Sequence, residues 1–188
     1  MYTLCTTEKT AQQQKQFEQV FLQMLLESHY DAVTISELCR RAGLSRKIFY
    51  RLFDQKADVL YALIDHTLLE GETYVPDESV GPGELHRFFA FWQHQEPLLD
   101  MLLKHQNSHM LTDRAIRHIL NENSSIVHTF GADCGKFGME TILFYISGIF
   151  SLVLTWHQTG YSHSIDEMSQ LLMNLLSTPP VKNDPMKT

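Results

Sequence analysis

The chain has little cysteine, and none of it is spaced as a pair. Cys5, Cys39 and Cys134 are odd in number and far apart, with no C-x-x-C spacing. A disulfide framework and a cysteine zinc site are therefore both excluded as readings, and a reduced, cytoplasmic setting is expected. Residues 1–10 lack the basic stretch and apolar run of a secretory signal. Long hydrophobic runs are also scarce. The longest, residues 142–156, is interrupted by Ser147, Gly148, Ser151 and Thr155, and is shorter than the roughly 20 residues of a membrane span. It is expected to be a core or interface helix, with no membrane partner. Alternating strand patterns and tandem repeats are missing. So are a phosphate-cradling glycine loop, a G-x-S-x-G elbow and an H-E-x-x-H pair. Neither an enzymatic site nor a cofactor is expected.

What is present is a large apolar fraction, 44% of 188 residues, enough for a packed core. The net charge of −7 conceals an asymmetry. Residues 1–60 carry eight Lys/Arg and seven Asp/Glu, whereas residues 61–188 carry seven and fifteen. Between positions 40 and 56, Arg40, Arg41, Arg46, Lys47, Arg51 and Lys56 face one acid, Asp54. Such a cluster is ordinarily a solvated helical face; here its context decides otherwise.

Phe17, Val20, Phe21, Met24 and Leu25 recur at helical spacing and predict a helix over residues 11–28. Thr34 and Glu37 form a capping-box signature, Ile35, Leu38, Cys39 and Ala42 give a short apolar face, and Gly43 suits a left-handed C′ position. Ser45 is an N-cap for a helix over residues 46–53. Asp54 is expected to cap a fourth helix striped by Val59, Leu60, Leu63, Ile64, Thr67 and Leu68. Residues 71–83, rich in glycine, proline and acids, read as a loop. Helices are then expected from Glu84, after Pro97 over residues 98–105, over 110–130 and over 136–159. Gly160 ends the last of these. Ser164 and Glu167 open a final helix, and residues 178–188 form a disordered tail. The fold class is all-α. It divides into an N-terminal unit (1–70, with the helix-turn-helix at 34–53 and a connecting helix at 54–70) and a helical C-terminal unit over 84–177.

Residues 34–53, TISELCRRAGLSRKIFYRLF, are two short helices joined by a glycine turn, with cations massed on the second. That is the helix-turn-helix plan, whose second helix enters the DNA major groove. The set Thr34, Ala42-Gly43, Ser45, Tyr50-Arg51-Leu52-Phe53 and Lys56 resembles the TetR family of transcriptional regulators, over about residues 11–68. The C-terminal part resembles a branch described largely from Firmicutes, through Phe88 to Trp92, Leu98-Leu99, and Gly148, Trp156, Gly160 and Glu167-Met168.

The resemblance implies DNA contacts from Thr34, Ser45, Arg46, Lys47, Tyr50 and Lys56, with Thr34, Tyr50 and Lys56 on phosphates. Two positions depart from the family pattern. Lys47 stands where a small residue is common. Ile48 replaces a hydroxyl residue, trading a phosphate bond for contact with a thymine methyl. The resemblance also implies a homodimer on a double-stranded, palindromic operator, acting as a ligand-responsive repressor. Ser147, Gly148, Ser151, Met168 and Leu172, on the last two helices, are the expected dimer interface.

Phe88, Trp92, His94, Met101, His105, Phe144 and Tyr145 are the expected lining of a pocket for a small hydrophobic effector. For each aromatic alone, core packing is the plainer reading, and Phe130 and Phe137 belong to the same inventory. His105 and His109 share an i, i+4 spacing, but nothing nearby completes a ligand set, so no metal is expected. Cys39 reads as a buried inert thiol and Cys134 as the more reactive one. Two alternatives stay open: an activator of the same kind governed by a protein partner, and a helical enzyme or ligand carrier with an incidental basic helix.

Overall fold

The computed structural model describes residues 2–75, 83–121 and 138–177. Among them helix is the regular structure throughout. The order is α1 (Glu8–Glu27), a short 3-10 turn (Tyr30–Ala32), α2 (Ile35–Ala42), α3 (Arg46–Leu52) and α4 (Lys56–Thr73). It continues with α5 (Glu84–Gln93), α6 (Glu96–Lys104), α7 (Ser108–Asn121), α8 (Gly138–Gln158) and α9 (Ile165–Ser177).

Local signals set most of the boundaries. Thr34 Oγ1 accepts from the Glu37 amide at 3.2 Å and starts α2. The reciprocal half of the expected capping box is absent, because the Glu37 carboxylate binds Arg40 and Arg41 instead. Gly43, at φ 63°, ends α2 in the left-handed region, where a Cβ is disfavoured. Its N–H reaches Arg40 O, and the Leu44 N–H reaches Cys39 O. Ser45 Oγ accepts from the Ile48 amide and starts α3. Gly160, at φ 65°, closes α8 in the same way, and the Ser164–Glu167 box is complete in both directions.

The structure corrects three boundaries. The cap of α4 is Gln55 rather than Asp54; Asp58, one turn inside, accepts from the amides of both Asp54 and Gln55. Helix α4 also runs through Gly71 to Thr73, so the connection begins at Tyr74. The reason is tertiary: a Cβ on Gly71 would stand 2.9 Å from Phe91 Cε1, so the glycine serves a close helix approach and not a loop. Finally, α7 starts at Ser108, and Gln106 at φ 55° separates it from α6. His105, the C-cap of α6, and His109, in the first turn of α7, therefore share no helix, and the i, i+4 ligand spacing dissolves. Among the described residues no cluster suited to a metal ion occurs. The expected tail at 178–188, Cys134, and the helix predicted to extend to residue 130 beyond Asn121 lie outside the described residues.

Helix α1 packs on α2, α4 and α6, α4 on α5 and α7, and α9 on α5. One buried cluster runs from Phe17 through Phe49 and Leu60 to Phe89, Trp156 and Leu172. The two units thus share a continuous core, with α4 common to both.

Candidate nucleic-acid interface

The α2–α3 pair rests on a ring stack. Phe49 and Phe53 meet Phe17 of α1 edge-on at 5.5 and 6.0 Å, and both are fully buried. Burying one aromatic side chain of this seven-residue helix and that of its C-cap residue supplies several kcal/mol, about 1.5–3 for each, which fixes the face that α3 shows to solvent. That face carries Arg46, Lys47 and Tyr50, all exposed. Arg46 places its guanidinium 5.9 Å above the Tyr50 ring, so the ring pre-orders the cation. Thr34 and Ser45 are exposed at the starts of α2 and α3.

The remaining cations of the cluster brace the unit. Glu37 holds Arg40 in a fork at 2.7 and 2.6 Å and meets Arg41 Nε at 3.0 Å, and Arg41 reaches Glu27 of α1 at 2.5 Å. Hydrogen bonds from Arg40 first, then Arg41, bring the Glu37 carboxyl down to about 2. Arg51 donates to Gln13 of α1 at 2.6 Å.

Lys56 departs from expectation. Its ammonium donates to the carbonyls of Tyr30 (2.7 Å) and Val33 (3.0 Å) and lies 4.2 Å from the Tyr30 ring centroid. It ties the start of α4 to the turn that launches α2. Ile48 is likewise half-buried against the core, so much of its side chain packs inward and less of it is open to a base. Cys39 is buried at 5% exposure, and desolvation raises its thiol pKa, as an inert packing thiol requires.

The expected effector-pocket residues do not assemble. A cavity of about 400 Å³ lies among α4, α5, α7, α8 and α9. Phe88 and Trp92 line it, together with Phe91, Ile146, Ile149 and Phe150. His94 instead bonds Ala90 O, Met101 is core, and Phe144 is 73% exposed. Tyr145 is half-buried beside Phe144, away from the lining. His105 joins a separate cleft of about 480 Å³ with His29 and Lys104. Sequence reasoning missed Gly71, Ile146 and Ile149; the i, i+3, i+4 spacing of Ile146, Ile149 and Phe150 was the available signal. At the rim, His118 Nε2 meets Glu72 at 3.0 Å, and Arg87 and Tyr74 add polar groups.

Of the expected dimer residues, Ser147 is half-buried, and Gly148 and Ser151 are exposed. Nothing lies within 4 Å of where a Gly148 Cβ would stand. Met168 and Leu172 are only 4% and 3% exposed, so they belong to the subunit's own core. The apolar residues that do face out are Met139, Leu143 and Phe144 on α8 and Leu171, Met173 and Leu175 on α9. Helix α8 is also longer than its apolar run suggested. Met139–Gln158 is long and apolar enough to cross a membrane by length and composition, and 28% of that stretch is buried.

Comparison with known proteins agrees with this geometry. Residues 22–63 match the family model for bacterial regulatory proteins, tetR family. No curated protein matches the chain. The crystal structure of Lin0861 from Listeria innocua is similar at a TM-score of 0.69 and 18% identity, over 92% of this chain and 93% of that one. At that identity the likeness is one of fold. The matched segment spans the α2–α3 pair, and this domain of bacterial regulatory proteins, tetR family, supports a DNA-binding transcriptional regulator.

Proposed function

We propose that the protein is a cytoplasmic, ligand-responsive repressor that binds a palindromic operator as a homodimer. The observation that carries this reading is the solvent face of α3. Arg46, Lys47 and Tyr50 stand exposed together while Phe49, Leu52 and Phe53 anchor the helix behind them. Thr34, Ser45 and Tyr50 supply hydroxyls for phosphates. Arg46 and Lys47 supply the cations able to read guanine edges. Lys56 and Ile48 act behind this face. Lys56 holds α2 in place, and Ile48 divides its surface between core and groove.

The second copy is assigned to the face bearing Leu143, Phe144, Gly148, Ser151, Leu171 and Leu175. Large apolar groups left in water on two consecutive helices call for a partner, and α8 and α9 from two subunits would make a four-helix bundle. The effector is assigned to the α4–α9 cavity. Its volume lies within the ~300–1,000 Å³ of ligand sites, and its lining fits a hydrophobic or amphipathic organic molecule. This open space favours a small molecule over control by a protein partner, which a filled core would suit better.

The test is selection of genomic fragments by the purified protein, followed by affinity measurements on the selected site. Lys47→Ala is expected to relax preference by about 1–3 kcal/mol at one base position. Tyr50→Phe is expected to weaken all sequences alike. Recovery of no common sequence, or affinity indifferent to Lys47 and Tyr50, would overturn the proposal.

A further inference from the structure

We infer that Tyr2, Asp65 and Arg114 form a positioning triad that fixes the recognition helix α3 and ties it to the cavity-lining helix α7. The inference rests on the regulator reading above but concerns residues outside the DNA face and outside the cavity.

Residues 2–7 form no helix, yet they are strapped onto α1 and α4. Gln14, fully buried within α1, spends its whole amide on that strap: Oε1 accepts from the Cys5 N–H at 2.9 Å, and Nε2 donates to Thr3 O at 3.4 Å. A buried amide is costly unless both ends are satisfied, so α1 places a polar group in its core face to hold this segment down. The strap delivers Tyr2 to a three-way junction. Its hydroxyl donates to Asp65 of α4 and accepts from Arg114 Nη2 of α7 at 2.9 Å. Arg114 grips Asp65 through both nitrogens of its fork, Nε to Oδ1 at 2.7 Å and Nη2 to Oδ2. The guanidinium lies near two tyrosine rings, 5.8 Å from the centroid of Tyr2 and 5.5 Å from that of Tyr61. Both charged partners are largely shielded, at 20% and 15% exposure, so water screens the pair weakly.

Two further contacts make the triad a link. The Tyr2 ring lies 6.4 Å from Phe53, the buried residue that closes α3. On the other side, Arg114 adjoins Ala115 and is one turn before His118, and both of these line the cavity. A displacement of α7 thus reaches α3 through Arg114, Tyr2 and Phe53, independently of the covalent path along α4. A planar bidentate pair resists sliding in a way a lysine ammonium does not. That makes Arg114→Lys the informative change, with charge kept and the fork lost.

The experiment is amide hydrogen exchange on the full-length protein, with residues 142–156 of α8 as internal reference. In Arg114→Lys and Tyr2→Ala, exchange at residues 46–53 is expected to rise roughly tenfold while the reference is unchanged, as for a local opening. Tyr2→Phe, which keeps the ring on Phe53 and loses only the hydroxyl, is expected to be intermediate. Operator affinity should fall in the same rank order with the salt slope unaltered, since no phosphate contact is removed. Unchanged exchange in α3, or equal loosening of α3 and α8, would overturn the triad. A reduced salt slope would overturn it too, by showing that these residues meet DNA directly. Failure of the wild-type protein to bind any DNA, with α3 exchange still responding, would instead strike the regulator reading and leave the triad standing.

Discussion

Lys56 sits in a run of cations and yet serves the fold. Two of its three N–H donors are engaged by the carbonyls of Tyr30 and Val33, and removing a charged donor from part-buried acceptors costs about 1–3 kcal/mol. Lys56→Met should therefore lower the midpoint of urea unfolding while leaving the salt dependence of DNA binding near that of the wild type. A slope lowered by ~1 per subunit would return this lysine to the phosphate backbone. The sequence could not reveal this division of labour. Thr34, Ser45 and Gly43 were legible because capping and positive φ are local demands, met within four residues. Whether a cation faces a carbonyl or a phosphate depends on where a segment twenty-odd positions away is folded. The same holds for Glu37, whose spacing from Thr34 matched a capping box but whose carboxylate is claimed by Arg40 and Arg41.

At the scale of helices, α8 carries the clearest unfinished business. Ile142, Ile146, Phe150 and Val153 point into the core, whereas Leu143 and Phe144 point away from it. Phe144 is 73% exposed, so within one subunit Phe144→Glu removes few contacts, and surface changes of that kind usually alter stability by less than about 0.5 kcal/mol. In the proposed dimer the same change buries a charge. Sedimentation is expected to show folded monomers for Phe144→Glu at concentrations where the wild type is dimeric, with helical content retained. A wild-type monomer would remove the α8–α9 face from the interface. Periodicity placed α8 and α9 in the chain to within a few residues. It could not divide their apolar residues between core and partner, and this is why Met168 and Leu172 proved internal while Leu171 and Leu175 face out. The extent of α4 was equally hidden. Gly71 reads as a breaker until Phe91 is seen against it.

Across the molecule, the two tryptophans report on different regions. Trp92 lines the cavity, while Trp156 is buried with its indole N–H on His163 O at 2.8 Å and its ring against Phe89 and Tyr161. An apolar compound that enters the cavity should therefore change the emission of Trp92 and spare that of Trp156. Trp92→Phe is expected to abolish the signal, and Trp156→Phe to preserve it. A signal that tracks Trp156 would place the ligand elsewhere. In the proposed repressor, relief by about a hundredfold asks for roughly 2.7 kcal/mol of differential affinity between two states of the dimer. The aromatic inventory announced an apolar C-terminal core, but the void within it arises from how five helices meet. No single segment encodes it, which is why only Phe88 and Trp92 were identified in advance.

The bare backbone at Gly71 has a mechanical consequence. Phe91 belongs to the cavity wall and at the same time presses its ring edge onto α4 with no side chain between them. Side chains yield by rotating; a helix backbone does not. In the proposed ligand-responsive regulator Gly71 is the stiff bearing and α4 the lever pivoting on it. From Gly71 to Lys56 the lever arm is about 22 Å, at ~1.5 Å per residue. A tilt of about 5° at the bearing swings the far end by about 2 Å. In the proposed dimer a two-fold axis doubles this to about 4 Å of error against half-sites ~34–36 Å apart, enough to lift paired side chains out of hydrogen-bonding range of their bases.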